Sequence, residues 1–364
     1  MISNTKLFNR LPSSLIILLI MILFFIKIMF YVLVKSEVLM SGYGTGGDAN
    51  YYHSYVIGVY NSPVNIWPVI LRYLNDIGLY SRDLVTYSLF FLNLFIIPFI
   101  TAKLSGLTLS SNQKNYLYIV LLCTAYPTLY FFTFDVYRDV FMVFSFLIGC
   151  IAVKKFVSST NILLFIFYLG MSIAIGFFLL WLRPYLGYAF LASLLLWKVK
   201  FTKKRILFLG FIYALALFIA NYAGLLNALT EYRSGFEEVG GGSTLGLNFS
   251  NPIMFIPNFI LSTLGQMFGL YITNPLAVML LVIETIPFFF MLVYVIKNIK
   301  LADNFVRFLI IFFILYASVW LIGNDNLGTA VRLRMYNYLA IYISFFYIFR
   351  LKKSSLKISK AVNL

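Results

Sequence analysis

Charged side chains are scarce in this sequence. Of its 364 residues, 11% are charged and 62% are hydrophobic, whereas about a quarter of the residues in soluble domains are charged. A soluble fold of this length cannot bury so much apolar surface, which excludes the soluble class. Apolar runs recur along the whole chain, and each is near the length of about 20 residues that crosses the hydrocarbon core of a bilayer. The sequence therefore predicts an all-α, polytopic integral membrane protein.

Cysteine and histidine are also scarce. Cys123 and Cys150 both fall inside apolar runs, and His53 is the only histidine of the chain. Cysteines in such runs are typical small core residues, so the pattern predicts neither a disulfide framework nor a metal site. The glycine-rich stretch 240–246 lacks the Gly-Lys-Ser/Thr ending of a nucleotide-binding loop. We therefore expect no metal and no other cofactor.

Apolar runs predict about ten transmembrane helices and one re-entrant or interfacial segment. The exceptional segment, 253–273, contains Pro257, Gly265 and Gly269, and irregular backbone at membrane depth is tolerated where protein buries it. The first run is too long for a signal peptide, so we expect a retained first helix. The positive-inside rule then predicts that both termini lie in the cytoplasm. The predicted spans are 12–34, 84–103, 116–134, 137–153, 162–182, 184–197, 206–226, 276–296, 304–322 and 336–350.

The net charge of +16 is unevenly distributed over this topology. Fifteen of the 17 lysines fall on the cytoplasmic side, as the positive-inside rule predicts, and this charge favours anionic membrane lipid as a partner over nucleic acid. Seven of the 11 arginines and ten of the 12 acids fall outside. Topology does not require arginine there, but its planar fork binds phosphate or carboxylate through two bonds. We predict one transmembrane domain, 1–364, with outer loops at about 36–83 and 227–275.

The first outer loop places a carboxylate among aromatic side chains. Asp48 follows a glycine-rich turn, and Tyr51 and His53 come shortly after it. Aromatic faces stack on sugar rings and carboxylates bind hydroxyl groups, so Asp48 is a candidate catalytic residue and Tyr51 a candidate substrate-binding residue. His53 is a second candidate base, because imidazole titrates near neutral pH. Tyrosines at the level of the lipid headgroups would give the same pattern.

Two arginines lie where predicted helices meet the outer surface. Asp135, Arg138 and Asp139 have the spacing i, i+3, i+4, so a helical turn would place them on one face. They would then either pair with each other, or Arg138 would bind a phosphate while an acid orients it. Arg183 lies in the tight turn before Tyr185, with no acid near it in sequence. Arg183 is the strongest candidate ligand for a lipid phosphate, and snorkelling to the headgroups is the alternative.

The later outer loops supply further candidates. Glu231 and Arg233 precede the glycine-rich stretch, which resembles a mobile lid or a plain connector. Arg332 and Arg334 lie at the outer mouth of the last predicted helix, where two arginines would form an anion site. Glu284 is the only acid deep inside a predicted span, because Asp139 lies at the outer edge of its span. Glu284 is either functional or a hydrogen-bonded contact between helices.

Together these features resemble the Wzy-type O-antigen (oligosaccharide repeat-unit) polymerases of the bacterial inner membrane. The resemblance lies in the overall size, the helix count, Gly-Asp48-Ala-Asn-Tyr-Tyr in the first outer loop, Arg183 after a helix, and Arg332-Leu-Arg334 late in the chain. It covers most of the chain through loose motifs. The outer loops are shorter here than the single large loop of many members.

The resemblance implies a membrane glycosyltransferase with a periplasmic active face. It would transfer a growing glycan from undecaprenyl pyrophosphate to the next lipid-linked oligosaccharide repeat unit, with a chain-length regulator protein as a partner. Arg183, Arg332 and Arg334 would hold the donor pyrophosphate and stabilise the charge that develops on it. Arg138, Arg233 and Tyr185 would complete the substrate site.

The proton acceptor and the reaction class leave alternatives open. Asp48, or else His53 or Glu231, would take the proton from the acceptor hydroxyl. A glycosyltransferase that adds single sugars from a polyprenyl-phosphate donor is the second interpretation. A lipid-linked oligosaccharide flippase or an outer-face acyltransferase would fit less of the pattern.

Overall fold

The computed structural model describes residues 11–39, 46–238 and 243–362. These residues form helices joined by turns, with one isolated β-bridge between Thr244 and Asn326. Seven of the described helices are long and apolar enough to cross a membrane. The predicted class, an all-α polytopic membrane protein, is confirmed. Where the sequence predicts one domain, the chain divides into two compact units, Met1–Gly187 and Tyr188–Leu364, and each is described by itself.

The N-terminal unit consists of long apolar helices and a helical outer segment. Side chains that accept a hydrogen bond from a first-turn N–H start several of these helices, among them Asn65, Ser81 and Asn161. The predicted outer loop 36–83 thus contains two helices of its own. The helices are α1 Ser13–Lys35, α2 Gly47–Val56, α3 Ile66–Asp76, α4 Arg82–Leu104, α5 Leu109–Thr124, α6 Pro127–Phe131, α7 Asp139–Ser158, α8 Ile162–Leu182 and α9 Pro184–Leu196, which runs on into the second unit.

Opposite ends of the N-terminal unit carry different charges. At one end, the Lys154 ammonium donates to the backbone carbonyls of Lys103 (3.1 Å) and Leu104 (2.8 Å), which joins the last turns of α4 and α7. At the other end, Arg82 at the start of α4 binds Asp135 just before α7. Lys154 and the Arg82–Asp135 pair thus lie at opposite ends of α4 and α7, and Lys35 pairs with Asp83 at the Arg82 end.

The C-terminal unit contains the later helices and the segment that the sequence predicts to be re-entrant or interfacial. That segment holds Phe255–Ser262 and the turn that follows it, which together are shorter than the roughly 20 residues that a span requires. The helices are α10 Lys203–Tyr222, α11 Asn227–Glu238, α12 Phe255–Ser262, α13 Pro275–Lys297, α14 Asn304–Gly323 and α15 Leu327–Val362.

Three π-helical turns interrupt the described helices, and periodicity does not predict them. The first, π1, covers Leu92–Ile96 inside α4. The second, π2, covers Thr263–Met267 directly after α12, and the third, π3, covers Leu281–Thr285 inside α13. Such turns change the direction of side chains by one residue and are frequent at functional sites. Two of the three lie in the C-terminal unit.

The helices depart most from the predicted spans at 116–134 and 336–350, while the predicted span 184–197 agrees within one residue but is short for a crossing. The predicted span 116–134 is two helices, α5 and the short α6, because Pro127 starts a new helix. The predicted span 184–197 is the 13-residue α9. The predicted start at residue 336 is wrong, because α15 begins at Leu327, where Asn326 accepts a hydrogen bond from the N–H of Thr329 at 2.9 Å. The count of about ten spans stays a prediction.

Candidate functional site

The C-terminal unit contains a pocket of about 400 Å³. Its walls come from π2, from the chain between π2 and α13, from the start of α13 and from the first two turns of α15. One wall is apolar, and the others present amide and hydroxyl groups and the charge of one arginine. The lining residues are Ser243, Gly265, Gln266, Gly269, Tyr271, Thr273, Asn274, Leu276, Ala277, Leu280, Asn326, Leu327, Gly328, Ala330, Val331 and Arg334.

Arg334 supplies the charge of this pocket, which we call the Arg334 pocket. The residue is 2% exposed, and its Nη2 donates to Oε2 of Glu284 at 3.1 Å. A Cβ atom on Gly269 would lie 2.9 Å from Nη1 of Arg334, and Gly269 has a φ of +59°. Glycine is therefore required there both for the backbone conformation and for the close approach of the guanidinium group. Glu284 thus holds Nη2, while Nη1 lies close to Gly269, another residue of the pocket lining.

The structure places Arg332 and Arg334, which the sequence predicts to form a joint anion site, on different sides of one helix. Both residues lie in the second turn of α15, not in a loop before a helix. Residues two apart on a helix do not face each other. Arg334 lines the pocket, while Arg332 is half-buried on another side of the helix. Glu284, which the sequence left as either functional or a helix contact, is the ion-pair partner of Arg334.

Sequence reasoning missed a stripe of tyrosines below Arg334. Tyr338 and Tyr342 follow it at spacings of four, so all three side chains lie on one face of α15. The Tyr338 hydroxyl donates to the carbonyl oxygen of Met267 in π2 at 2.6 Å and lies 3.0 Å from Oγ1 of Thr285 in π3. The Tyr342 hydroxyl donates to the carbonyl oxygen of Glu284 at 3.3 Å. The spacing of four residues between Arg334, Tyr338 and Tyr342 was the sequence signal that could have revealed this face of α15.

Arg233, predicted to bind substrate, is instead held by the protein on every side. Its Nη2 pairs with buried Asp325, its Nε donates to the carbonyl oxygen of Leu247 at 2.8 Å, and its Nη1 donates to that of Asn324 at 2.6 Å. The guanidinium group also lies 4.7 Å above the Phe249 ring. All three guanidinium nitrogens have acceptors, which favours a structural role for Arg233, and its substrate-binding role stays a prediction. We call this group the Arg233 cluster.

The Arg233 cluster also supports the wall of the pocket. Asp325 accepts a hydrogen bond from the N–H of Gly246 at 2.9 Å, and the side chain of Gln266 in π2 donates to the carbonyl oxygen of Asn324 at 2.8 Å. The N–H of Leu327 donates to the carbonyl oxygen of Ser243 at 2.9 Å. The end of the predicted lid is thus bonded to the pocket rim, whereas residues 239–242 lie outside the described part.

Glu231, a predicted catalytic residue, is placed differently from Arg233. It lies on α11, and its side chain is exposed. It is not among the residues that line the Arg334 pocket. The structure therefore gives no catalytic partner to Glu231, and its catalytic role stays a prediction.

In the N-terminal unit, Arg183 has an acidic partner that the sequence did not reveal. Asp139, the first residue of α7, lies 3.6 Å from Nη2 of Arg183, and both side chains are buried. Arg138 donates from Nη1 to the carbonyl oxygen of Leu182 at 2.8 Å. The acid is thus not near Arg183 in sequence but comes from the start of another helix, 44 residues earlier. Arg138 and Arg183 both lie close to the junction of α8 and α9.

Asp135, Arg138 and Asp139 do not share a helical face, because the chain is bent over residues 135–138 and α7 begins only at Asp139. Asp135 binds Arg82 through two hydrogen bonds of 2.7 and 2.6 Å. Arg82 also donates to Oδ1 of Asn50 at 2.8 Å. Asp135 thus pairs with an arginine 53 residues earlier, at the start of α4.

Asp48 and Tyr51 lie on α2, not in a loop. Asp48 is exposed in the first helical turn, where the helix dipole stabilises a negative charge. Its charge acts on the hydroxyl of Tyr52, whose pKa is raised mainly by burial and lowered in part by Arg138. Tyr51 donates to the carbonyl oxygen of Ser62 and stacks on another tyrosine, so its ring is already covered on one side.

His53 has the geometry and the charge state of a base. Its Nδ1 lies 2.9 Å from the hydroxyl of Tyr80. Burial and the nearby Arg82 lower the pKa of His53 from 6.5, against an opposite effect of Asp135. The imidazole is therefore neutral at pH 7 and able to accept a proton. Burial raises the pKa of Tyr80 to about 12, so that phenol stays protonated.

The structure thus separates the predicted site residues into groups. Arg334 lines a pocket, Arg233 holds the protein together, and Tyr185 lies half-buried in the first turn of α9. Asp48, His53, Arg138 and Arg183 belong to the N-terminal unit. No known protein family, no curated protein and no solved structure matches this chain.

Proposed function

We propose that the chain is a glycosyltransferase that polymerises undecaprenyl-pyrophosphate-linked oligosaccharide repeat units into an O-antigen-type polysaccharide. The observation that carries the proposal is the Arg334 pocket, which combines a buried guanidinium group with hydrogen-bonding groups and an apolar wall. A ligand that joins an anionic phosphate to a sugar and a lipid matches each part of this lining. The resemblance in size and motifs to the Wzy-type polymerases supports the same reaction.

In the proposed reaction, a hydroxyl oxygen of the acceptor sugar attacks the anomeric carbon of the donor glycan. The bond from that carbon to the pyrophosphate oxygen breaks, and the pyrophosphate leaves with the electron pair. Arg334 stabilises the charge that develops on it, and this effect is large in a buried site where water does not compete. Glu284 holds the guanidinium group in place.

The proton of the acceptor hydroxyl passes to a base. His53 is neutral at pH 7 and bonded to Tyr80, which favours it as the base, and Asp48 is the alternative. Arg138 and Arg183 are proposed to bind acceptor phosphate, because both are basic and lie near the junction of α8 and α9. These assignments are tested residue by residue.

The proposed location is the bacterial inner membrane, with both termini in the cytoplasm and the reaction at the periplasmic face. It rests on the positive-inside rule, because lysines gather at one end of the predicted spans and arginines and acids at the other. A chain-length regulator protein is the proposed partner. Undecaprenyl pyrophosphate carries both the donor and the acceptor, so no other cofactor enters the proposal.

Electrophoresis of the surface glycan from a deletion strain tests the proposal. A polymerase deletion leaves single repeat units and abolishes the ladder of longer chains. Loss of one sugar from every unit, with the ladder retained, assigns the chain to the glycosyltransferases that add single sugars. Loss of all surface glycan, single units included, assigns it to transport. An unchanged ladder contradicts every one of these functions.

A further inference from the structure

Two π-helical turns meet the same side chain in the C-terminal unit. A π-helical turn disrupts the regular hydrogen-bond ladder of a helix, and polar backbone groups at membrane depth need a partner. The Tyr338 hydroxyl donates to the carbonyl oxygen of Met267 at the end of π2 at 2.6 Å. The same hydroxyl lies 3.0 Å from Oγ1 of Thr285 at the end of π3. One hydroxyl group therefore joins both turns.

Met267 and Thr285, the partners of the Tyr338 hydroxyl, lie within two residues of Gly269 and Glu284, which contact Arg334. Met267 lies two residues before Gly269, against which Nη1 of Arg334 packs. Thr285 directly follows Glu284, the acceptor for Nη2 of Arg334. Tyr338 itself lies one helical turn after Arg334, and its ring is 5.3 Å from the guanidinium carbon. These two contacts of the Arg334 side chain thus both lie within two residues of a partner of the Tyr338 hydroxyl.

We propose that Tyr338 is a positioning residue, whose hydroxyl sets the separation of π2 and π3 and thereby the orientation of Arg334 in its pocket. The inference rests on the proposed function, because it assigns Tyr338 a part in binding the donor pyrophosphate. Tyr338 does not appear in the lining of the pocket, so it acts through Arg334 and not by touching the ligand.

The packing of Tyr338 allows the hydroxyl to be tested alone. Its ring stacks on Phe288 with 3.9 Å between the centroids and 9° between the planes. The substitution Tyr338→Phe keeps this stacking and removes only the hydrogen bonds of the hydroxyl group. Tyr294 offers a matched control, because it is a buried tyrosine of α13, packed on Phe345 at 4.9 Å and nine residues after Thr285.

The experiment compares full-length wild-type, Y338F, Y294F and R334K proteins in lipid nanodiscs. Binding of undecaprenyl pyrophosphate is titrated, and KM and kcat are measured for the lipid-linked repeat unit. We expect Y338F to weaken binding and to raise KM by about tenfold, with kcat changed less, because each lost hydrogen bond contributes modestly. Y294F is expected to bind as the wild type does, and both tyrosine variants are expected to unfold at similar temperatures.

The outcomes separate this inference from the proposed function. If Y338F binds as tightly as the wild type while R334K is impaired, the positioning role of Tyr338 is overturned and the proposed function stands. If Y338F weakens binding only as much as Y294F, the hydroxyl has no special role and the inference is again overturned. If the wild type neither binds the probe nor polymerises repeat units, both the function and the inference fall.

Discussion

The Arg233 cluster and the Arg334 pocket hold two arginines of the same unit in opposite ways. Both side chains are at most 3% exposed, and each pairs with a carboxylate that is fully buried. Arg233 donates from all three nitrogens to carbonyl or carboxylate oxygens of the protein. Arg334 shares one edge with Glu284, and its residue lines a pocket large enough for a ligand.

The difference teaches that burial and charge do not by themselves identify a binding arginine. A guanidinium group has five N–H donors in a rigid fork that suits carboxylates and phosphates. Arg233 binds Asp325 and backbone carbonyls of the chain, whereas Arg334 binds Glu284 and also lines a cavity. Each of the following predictions can break or sharpen this contrast.

The largest expected effect is on stability, at Arg233. Arg233→Ala leaves Asp325 buried without its ion-pair partner, so we expect the free energy of unfolding to fall by about 3–5 kcal/mol. Denaturant unfolding of the purified protein measures this change. Ser234→Ala, at the exposed neighbour, is the control and should change stability by less than about 0.5 kcal/mol. Normal stability with lost activity would instead make Arg233 a substrate ligand.

The next effect is on activity, at Arg334. Arg334→Lys keeps a positive charge opposite Glu284 but loses the fork, so we expect the rate of polymerisation to fall by about 100-fold. Stability should change far less than in Arg233→Ala, because the buried carboxylate keeps a cationic partner. Rate and unfolding are measured on the same preparations. A rate loss that merely follows the loss of folded protein would remove the distinction between the two arginines.

A smaller effect separates backbone strain from the position of Arg334. Gly269 and Gly246 both have a positive φ, of +59° and +65°, so alanine is strained at either site. Only at Gly269 does the added Cβ meet Nη1 of Arg334. We expect Gly269→Ala to lower activity by about tenfold through the displaced guanidinium group, while Gly246→Ala only lowers stability. Equal activity in both variants would count against a ligand role for Arg334.

The smallest effect concerns pH, at His53 in the other unit. Because burial and Arg82 lower the pKa of His53 below 6.5, the neutral base predominates at pH 7 and is lost as the pH falls through that pKa. The wild-type profile of kcat/KM against pH should therefore be flat near neutrality and decline below about pH 6.5. His53→Gln should lower the rate and remove this decline. A decline that persists in His53→Gln and disappears in Asp48→Asn would identify Asp48 as the base.

The lowered pKa of His53 also makes the stability of the fold depend on pH. A histidine whose pKa is lowered by folding binds a proton more tightly in the unfolded chain, so stability is present above the unfolded pKa of about 6.5 and decreases as the pH falls. His53→Gln should flatten the dependence of the unfolding midpoint on pH in this range. An identical dependence in both proteins would show that His53 titrates as it does in the unfolded chain.

The apolar runs predicted most of the fold. The predicted spans 162–182 and 304–322 agree with α8 and α14 within one residue at each end, because long apolar segments in lipid must satisfy their backbone internally. The start of α15 was missed by nine residues. The sequence suggested an outer loop around Arg332 and Arg334. In the structure both belong to α15, and the ion pair with Glu284 allows the Arg334 side chain to be buried.

The partners of the charged residues were not predictable from local spacing. Arg233 and Asp325 are 92 residues apart, and Arg82 and Asp135 are 53 apart. Arg183 and Asp139 meet only because α7 and α8 run side by side. Nor does any periodicity indicate π2 and π3, which form where Tyr338 supplies partners from another helix. The sequence separated the arginines from the lysines, but it did not indicate the partner of each arginine.

The most direct test of the account is the surface-glycan ladder of a deletion strain complemented with Arg334→Lys, with the protein present at the wild-type level in the membrane. The account predicts single repeat units and few or no longer chains, because the donor pyrophosphate is held without the fork of Arg334. A ladder of normal length and distribution would contradict the assignment of this pocket to the donor and, with it, the central claim.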